Sequence, residues 1–360
     1  MPNQISKLDA NMRAPEFSDA TVEDITWHNP SEKPFRIAGF PWFDQEQIYR
    51  RLPLDKKNQL PFAVDQLANC TAGGAVQFKT DSSQIMLEVE LTEHAGRMYH
   101  MAATGESGFD LYCGEPGNMK YLKTTIFEVG CQSYTSILLE SKEIPRLREF
   151  KIHFPLYNGV KNVKIGLTKD AVISPPTAYT GKKIVVYGGS TAQGACASRP
   201  GRCTLNIMAE KLNREVVNLG FSGSGKMEPA LAEVIADIPD MALLMIEAER
   251  NTGYAGMSEK LIPFLRLVRE RHPILPISIW SANPRGAEHF DVNQRNERLQ
   301  FLKLFHNTLE SLNDPHLYLF DSSELLGKDF WECSVDGVHP NDLGFSRMAD
   351  GIIPFIQTIL

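Results

Sequence analysis

Two textures of hydrophobic and polar positions divide this chain. From about Ala75 onward, apolar and polar residues alternate in short runs. Within 84–92, Ile85, Leu87, Val89 and Leu91 are apolar while Glu88, Glu90 and Thr92 interleave with them, the period-two pattern of a strand with one wet face. Similar runs follow at 108–113, 121–127, 134–139, 150–155 and 160–167, parted by Gly, Pro, Asn and charged turns. Short strands at this spacing predict an antiparallel sandwich of jelly-roll type. Ahead of them, 1–19 is a polar arm, and 35–54 mixes aromatics with charges in short pieces.

Beyond 169–182, a stretch of little periodicity around Pro175-Pro176, the texture changes. Strand-like runs at 183–187, 215–218, 241–246, 275–280 and 317–320 alternate with helical stretches near 204–213, 228–237, 257–271, 294–312 and 342–360. In the third of these helices Leu261, Phe264, Leu265 and Val268 recur at i, i+3, i+4 and i+7, with Glu259, Arg266, Arg269 and Glu270 on the other face. Strand and helix in this rhythm predict an α/β unit, a doubly wound parallel sheet with helices on both sides. The expected organisation is a β-sandwich over 1–170, a linker over 171–182 and the α/β domain over 183–360.

The strand at 183–187 empties into Gly188-Gly189-Ser190. Ile184, Val185, Val186 and Tyr187 show no polar alternation, as expected of a strand buried on both faces. Ser190 therefore stands where a strand stops and a helix starts, at the sheet edge where α/β proteins gather ligands and where helix N–H groups are unpaired. It is a candidate nucleophile; a plain helix cap is the alternative. Turns after the other strands converge on the same edge: 218–225, 247–253 and 333–341. In the last, His339 can serve as a base, and Asp336, three residues earlier, can accept its Nδ1–H and leave Nε2 for the serine. The N–H groups of Ser190 and Gly223 and the side-chain amide of Asn251 are candidate donors to an oxyanion. Each also has a plainer reading: Asp336 as a cap of the terminal helix, Asn218 as a turn former, Glu247 and Glu249 as a solvated pair or as partners of Arg250 or substrate.

Taken in order, Gly188-Gly189-Ser190, the 218–223 turn, Asn251 and Asp336-x-x-His339 resemble the four blocks of the SGNH (GDSL-type) hydrolases. The resemblance implies a flavodoxin-like fold, with Ser190, Gly223, Asn251 and His339 as the four naming residues and Asp336 completing a triad. Gly108-Phe109-Asp110-Leu111-Tyr112 is similar to the GxDLY motif of a β-rich domain that precedes one subgroup of the family. Two positions depart from the pattern: Gly189 replaces the family's Asp before the serine, and Glu249-Arg250-Asn251-Thr252 replaces its Gly-x-Asn-Asp block.

Charge and composition narrow the field further. Thirty-seven basic against forty-four acidic residues give a net charge of −7 without any Lys/Arg run, which argues against a nucleic-acid partner. No stretch approaches the ~20 apolar residues of a membrane span. Residues 1–19 lack the apolar core of an export signal, so a cytoplasmic protein is expected as written, or an exported one if a leader has been removed. Six scattered cysteines without a C-x-x-C pair suggest buried thiols, and the spacing of His94 and His100 fits no metal pattern. A phosphate loop fails because Ala195-Cys196 stands where Lys and Ser/Thr are needed, a dinucleotide fingerprint because Glu228 occupies its third glycine, and an α/β-hydrolase elbow because Ala192 replaces its final glycine.

The expectation is a cofactor-free serine esterase acting on short-chain esters, with acetyl groups on carbohydrates favoured by family analogy. Its partner is a small-molecule or carbohydrate ester, and no pattern sets an oligomeric state. Arg285, His289, Arg295 and Arg298 of the 281–298 loop either line the entrance or belong to an ordinary wet loop. The rival is a non-catalytic carbohydrate-binding protein with a degenerate hydrolase domain, in which Trp42, Tyr99 and Tyr112 stack on sugars.

Overall fold

The computed structural model describes residue 9 and residues 24–54 and 60–360. Apart from Asp9, the polar arm at 1–19 lies outside the described residues. The first half contains strands β1 (Ile25–His28), β2 (Arg36–Ala38), β3 (Ala75–Thr80), β4 (Gln84–Leu91), β5 (Asp110–Cys113), β6 (Lys120–Thr124), β7 (Ser133–Glu140), β8 (Arg148–His153), β9 (Val160–Thr168) and β10 (Ile173–Ser174). They form two antiparallel sheets, ordered β1-β9-β4-β7 and β10-β3-β8-β5-β6, with β2 also on β3.

The alternation read in β4 is realised in space. Ile85, Leu87, Val89 and Leu91 join Val76, Phe78, Phe150 and Ile152 in the core between the sheets. Glu88 and Glu90 face out and pair with Lys164 and Lys161. β1, β2 and β10 escape a periodicity reading because two to four residues carry too few positions to show a period. β10 pairs with β3 inside the stretch expected to be a free linker.

The second half is a five-stranded parallel sheet of β11 (Lys183–Gly188), β12 (Val216–Gly220), β13 (Met241–Glu247), β14 (Ile277–Trp280) and β15 (Leu317–Phe320), ordered β12-β11-β13-β14-β15. Both faces are covered, which is why these strands read as continuous apolar runs. Val185, Tyr187, Val217 and Leu219 pack with Leu231, Phe264, Phe301 and Phe305 on one side. Ile184, Val186 and Val216 pack with Leu205, Met208, Phe345 and Met348 on the other. The helix expected from 257 begins at Glu249 because a first turn precedes a break at Gly253, whose φ of 71° is left-handed. Among the described residues no helix is long and apolar enough to cross a membrane.

The halves are joined through buried polar groups. Arg51, fully buried, donates to the carbonyls of Leu67 and Cys70 on its own side and of Asn218 and Gly220 at the exit of β12. Burial lowers its pKa to about 10. In the GxDLY-like segment, strand alternation sends Phe109 and Leu111 into the sandwich core. Asp110 points the other way, accepting from His153 Nδ1, Arg199 and the Gly201 N–H at 2.8 Å each. Lys151 and Glu210 form a buried ion pair at 2.9 Å across the same join.

Candidate active site

Ser190 is the first residue of a four-residue helix, Ser190–Gln193, that follows β11. Gly189 is its N-cap, and no side chain makes a capping bond, so the plain-cap reading does not hold. The turn is braced from below. Asn218 Nδ2 donates to the Ala192 carbonyl at 2.9 Å, while Oδ1 accepts the Gly220 N–H. Gln193, buried completely, donates to Leu156 O at 3.1 Å and accepts the Ser222 N–H at 2.9 Å, tying the Ser190 turn to the Gly223 loop and to the β-sandwich half. Sequence reading missed Gln193; its only signal is its place one turn after Ser190.

His339 Nε2 lies 3.0 Å from Ser190 Oγ, and its Nδ1 lies 2.7 Å from Asp336 Oδ2. The other oxygen of Asp336 accepts the N–H groups of Val338 and His339 at 3.0 and 2.8 Å. Burial works to raise the Asp336 pKa, but the His339 N–H, its ring and the Val338 N–H outweigh it and bring the value down to about 2. The terminal helix is capped instead by Asn341, which accepts from Gly344.

Ser190, Gly223, Asn251 and His339 all line one cleft of about 290 Å³. Among the described residues the N–H groups of Ser190 and Gly223 have no internal hydrogen-bond partner. Gly223 has a left-handed φ of 63° and open space where a Cβ would be. Asn251 Nδ2 is engaged, donating to Ser224 O and, at 3.3 Å, to Phe221 O, so it also holds the Gly223 loop. A Cβ at Gly189 would come within 2.7 Å of that nitrogen, so a side chain here would require the Asn251 amide to shift.

Glu247 and Glu249 are not a solvated pair. Both are buried at the end of β13, because the strand's exit is covered by the Ser190 turn and the 281–288 loop. Glu247 accepts the Gly189 N–H, and burial pushes its pKa up to about 7. Burial takes Glu249 to about 8, and neither of its oxygens has a close hydrogen bond. The stretch read as a 281–298 loop gives way to the helix Val292–Leu312: Arg285, ahead of it, lines the cleft, whereas Arg298 lies within the helix and is buried in an ion pair with Glu288 at 2.8 Å. Of the proposed stacking aromatics, Tyr112 is spent on Gly201 and Arg199, and Trp42 packs against the core. Tyr99 is 93% exposed and stacks on His100, whose ring centre lies 5.5 Å from that of His339.

His100, Cys196, Asp336 and His339 bring potential metal ligand atoms within 4.8 Å of one another. A cation there would compete for the same Asp336 and His339 atoms that hold each other and Ser190. Burial, then the Asp336 charge, raises the Cys196 thiol to about 11, which disfavours the thiolate a metal needs.

Comparison with known proteins follows the same division of the chain. Residues 181–357 match the model of the GDSL-like lipase/acylhydrolase family, and residues 25–173 match that of the N-terminus of SGNH hydrolase-type esterases. Among solved structures, a Bacteroides ovatus protein assigned as a GDSL-like lipase shares 29% identity, with 93% of this chain and 98% of that one covered at a TM-score of 0.85. The salicylyl-acyltransferase SsfX3 of a tetracycline biosynthetic pathway shares 17% identity over 93% and 97% of the two chains, at a TM-score of 0.73. A family two carbohydrate esterase from Cellvibrio japonicus shares 14% over 93% and 98%, at 0.62. No curated protein sequence matches.

Proposed function

We propose, from the premise that this chain belongs to the GDSL/SGNH lipase/acylhydrolase family and carries the N-terminal domain of SGNH esterases, that it hydrolyses short-chain carboxylic esters, acetyl groups on carbohydrates foremost. The observation that carries the reading is the unbroken chain from Asp336 through both nitrogens of His339 to Ser190 Oγ, at 2.7 and 3.0 Å. Ser190 attacks the ester carbonyl while His339 takes its proton. Asp336 holds the ring in the tautomer that leaves Nε2 free to accept, and stabilises the imidazolium that forms. The oxyanion is held by the N–H groups of Ser190 and Gly223 and by the Asn251 amide, whose long bond to Phe221 O is the one to yield. His339 then protonates the leaving alcohol, and a water activated by the same ring hydrolyses the acyl-enzyme.

Two features favour a short acyl group and a sugar. Of the side chains lining the cleft, only Val338 is a pure hydrocarbon, so a long alkyl chain finds no apolar channel. Tyr99 offers an aromatic face beside His100, where a sugar ring could stack. The test is aryl acetate turnover with labelling by an organophosphonate. Wild type should form a stoichiometric adduct at Ser190, and Ser190→Ala should lose turnover by about 10⁴–10⁶-fold. A fully active Ser190→Ala enzyme would refute the reading.

A further inference from the structure

We propose that the ester taken by this site carries a carboxylate near its reacting carbonyl, held by Arg285 and Arg250; this deepens, and rests on, the esterase reading above. Both arginines line the cleft that holds Ser190 and His339, and both also line a smaller recess of about 40 Å³ beside it, behind Thr191. Neither is well served by the protein. Among the described residues the Arg285 guanidinium makes no hydrogen bond and no ion pair, although the side chain is partly buried. The Arg250 Nε is buried without a partner, and its NH2 group reaches only Asn283 O and Glu288 Oε1, at 3.5 and 3.4 Å. Those distances are at the outer limit of a hydrogen bond.

The neighbouring acids hold these cations only loosely: Glu247, Glu297 and Glu288 favour the Arg285 charge without a hydrogen bond to its guanidinium, and Glu288 reaches Arg250 no closer than 3.4 Å. Glu288 is committed to Arg298 at 2.8 Å through one oxygen and to the Arg285 N–H at 3.2 Å through the other. Asp336 belongs to His339. Burial holds Glu247 and Glu249 up to about 7 and 8, so neither is fully ionised near neutral pH. Burial and the Arg250 charge both work against the Arg285 cation. Even in a protein of net charge −7, two guanidinium groups thus line the cleft of the serine with donors that no close carboxylate among the described residues fills.

Two close cations with unused planar donors cost stability unless an anion joins them, and a carboxylate fits that geometry. The carboxylate can belong to the alcohol, as in an acetylated uronic acid, or to the acyl group, as in the half-ester of a dicarboxylic acid.

Two matched pairs separate these sources in the wild-type enzyme: acetylated glucuronic acid against acetylated glucose, and 4-nitrophenyl hemisuccinate against 4-nitrophenyl butyrate. One charged member should be preferred in kcat/KM by at least about 10-fold, and Arg285→Gln should cut that preference by about 10- to 100-fold, the weight of a charged hydrogen bond. Arg285→Lys should restore part of it. Arg214→Gln removes the same charge at the opposite edge of the sheet, where Arg214 donates to Lys182 O, and should leave the ratio alone. Should Arg285→Gln fail to fold, wild type still decides: glutarate should inhibit it competitively, and neutral glutaramide should not. Charge-independent turnover in both pairs, or an unchanged ratio in Arg285→Gln, overturns the inference and leaves the esterase reading standing. No turnover together with no label on Ser190 overturns both.

Discussion

His339 is held at both ring nitrogens, one by a carboxylate and one by the serine, the arrangement on which the proposed mechanism rests. Asp336, held down to about 2, stays ionised throughout the range in which a general base can act. Asp336→Asn should leave a folded protein with turnover reduced by about 10⁴-fold, because the amide favours the wrong tautomer; circular dichroism beside a rate measurement separates the two. Because the Asp336 pKa is depressed in the fold, its stabilising contribution is present above the unfolded value and is lost as pH falls toward 2. Glu249 runs the other way. Its raised pKa means that the folded protein binds the proton more tightly than the unfolded chain, so stability falls as pH climbs from about 4.5 to about 8. Glu249→Gln should remove that loss: its advantage over wild type in thermal unfolding should be small at pH 5 and grow toward pH 8, by on the order of 2–4 kcal/mol for a shift of this size. An advantage independent of pH would show that the carboxyl is not buried in the charged sense argued here. Ser190, His339 and Asp336 were legible because their residue types and order are chemically restrictive. Gln193 was not, because an amide in a polar turn looks like any other until its two partners are in view.

At the scale of elements, the site depends on how closely the Ser190 helix lies against β12. A Cβ on Gly220 would overlap the Gln193 backbone nitrogen and crowd Ala192. Gly220→Ala should therefore cost about 1–3 kcal/mol by overpacking and push Ser190 away from His339, lowering kcat more than it raises KM. Equal kcat in the variant would mean that the helix tolerates the shift. The strands β3 to β9 and all five of the parallel sheet were readable, since each lies within a run of sequence that shows a period of two or an unbroken apolar stretch, even where the strand itself is four residues. The early start of the helix Glu249–Arg271 was not, because its first turn is severed at Gly253 and joins the rest only in space. The burial of Glu247 and Glu249 was also invisible: two acids at a strand end look solvated until the 281–288 loop covers them.

Across the whole molecule, the sandwich serves as the backing of the candidate site. Arg51 bridges carbonyls of both halves, and Asp110 clasps the loop that follows the Ser190 helix through Arg199 and Gly201. Removing Arg51 leaves several buried carbonyls without a donor, so Arg51→Ala should destabilise by about 3–5 kcal/mol. Activity and the sandwich's tertiary signal should be lost in one thermal transition; two separate transitions would show that the halves are energetically independent. The polar alternation of the GxDLY-like strand announces that one face is wet. It takes the second domain to show that the wet face meets Arg199 rather than water.

Hydrophobic period and turn residues, both local in the chain, determine by themselves the two textures, the parallel sheet and the edge at which Ser190, Asn251 and His339 emerge. Close approach decides the rest: the 3.0 Å meeting of serine and imidazole 149 positions apart, the buried acids, and the Arg285 guanidinium left without a hydrogen bond among the described residues. Desolvation and contact depend on which surfaces cover one another, and that coverage is a property of the folded whole.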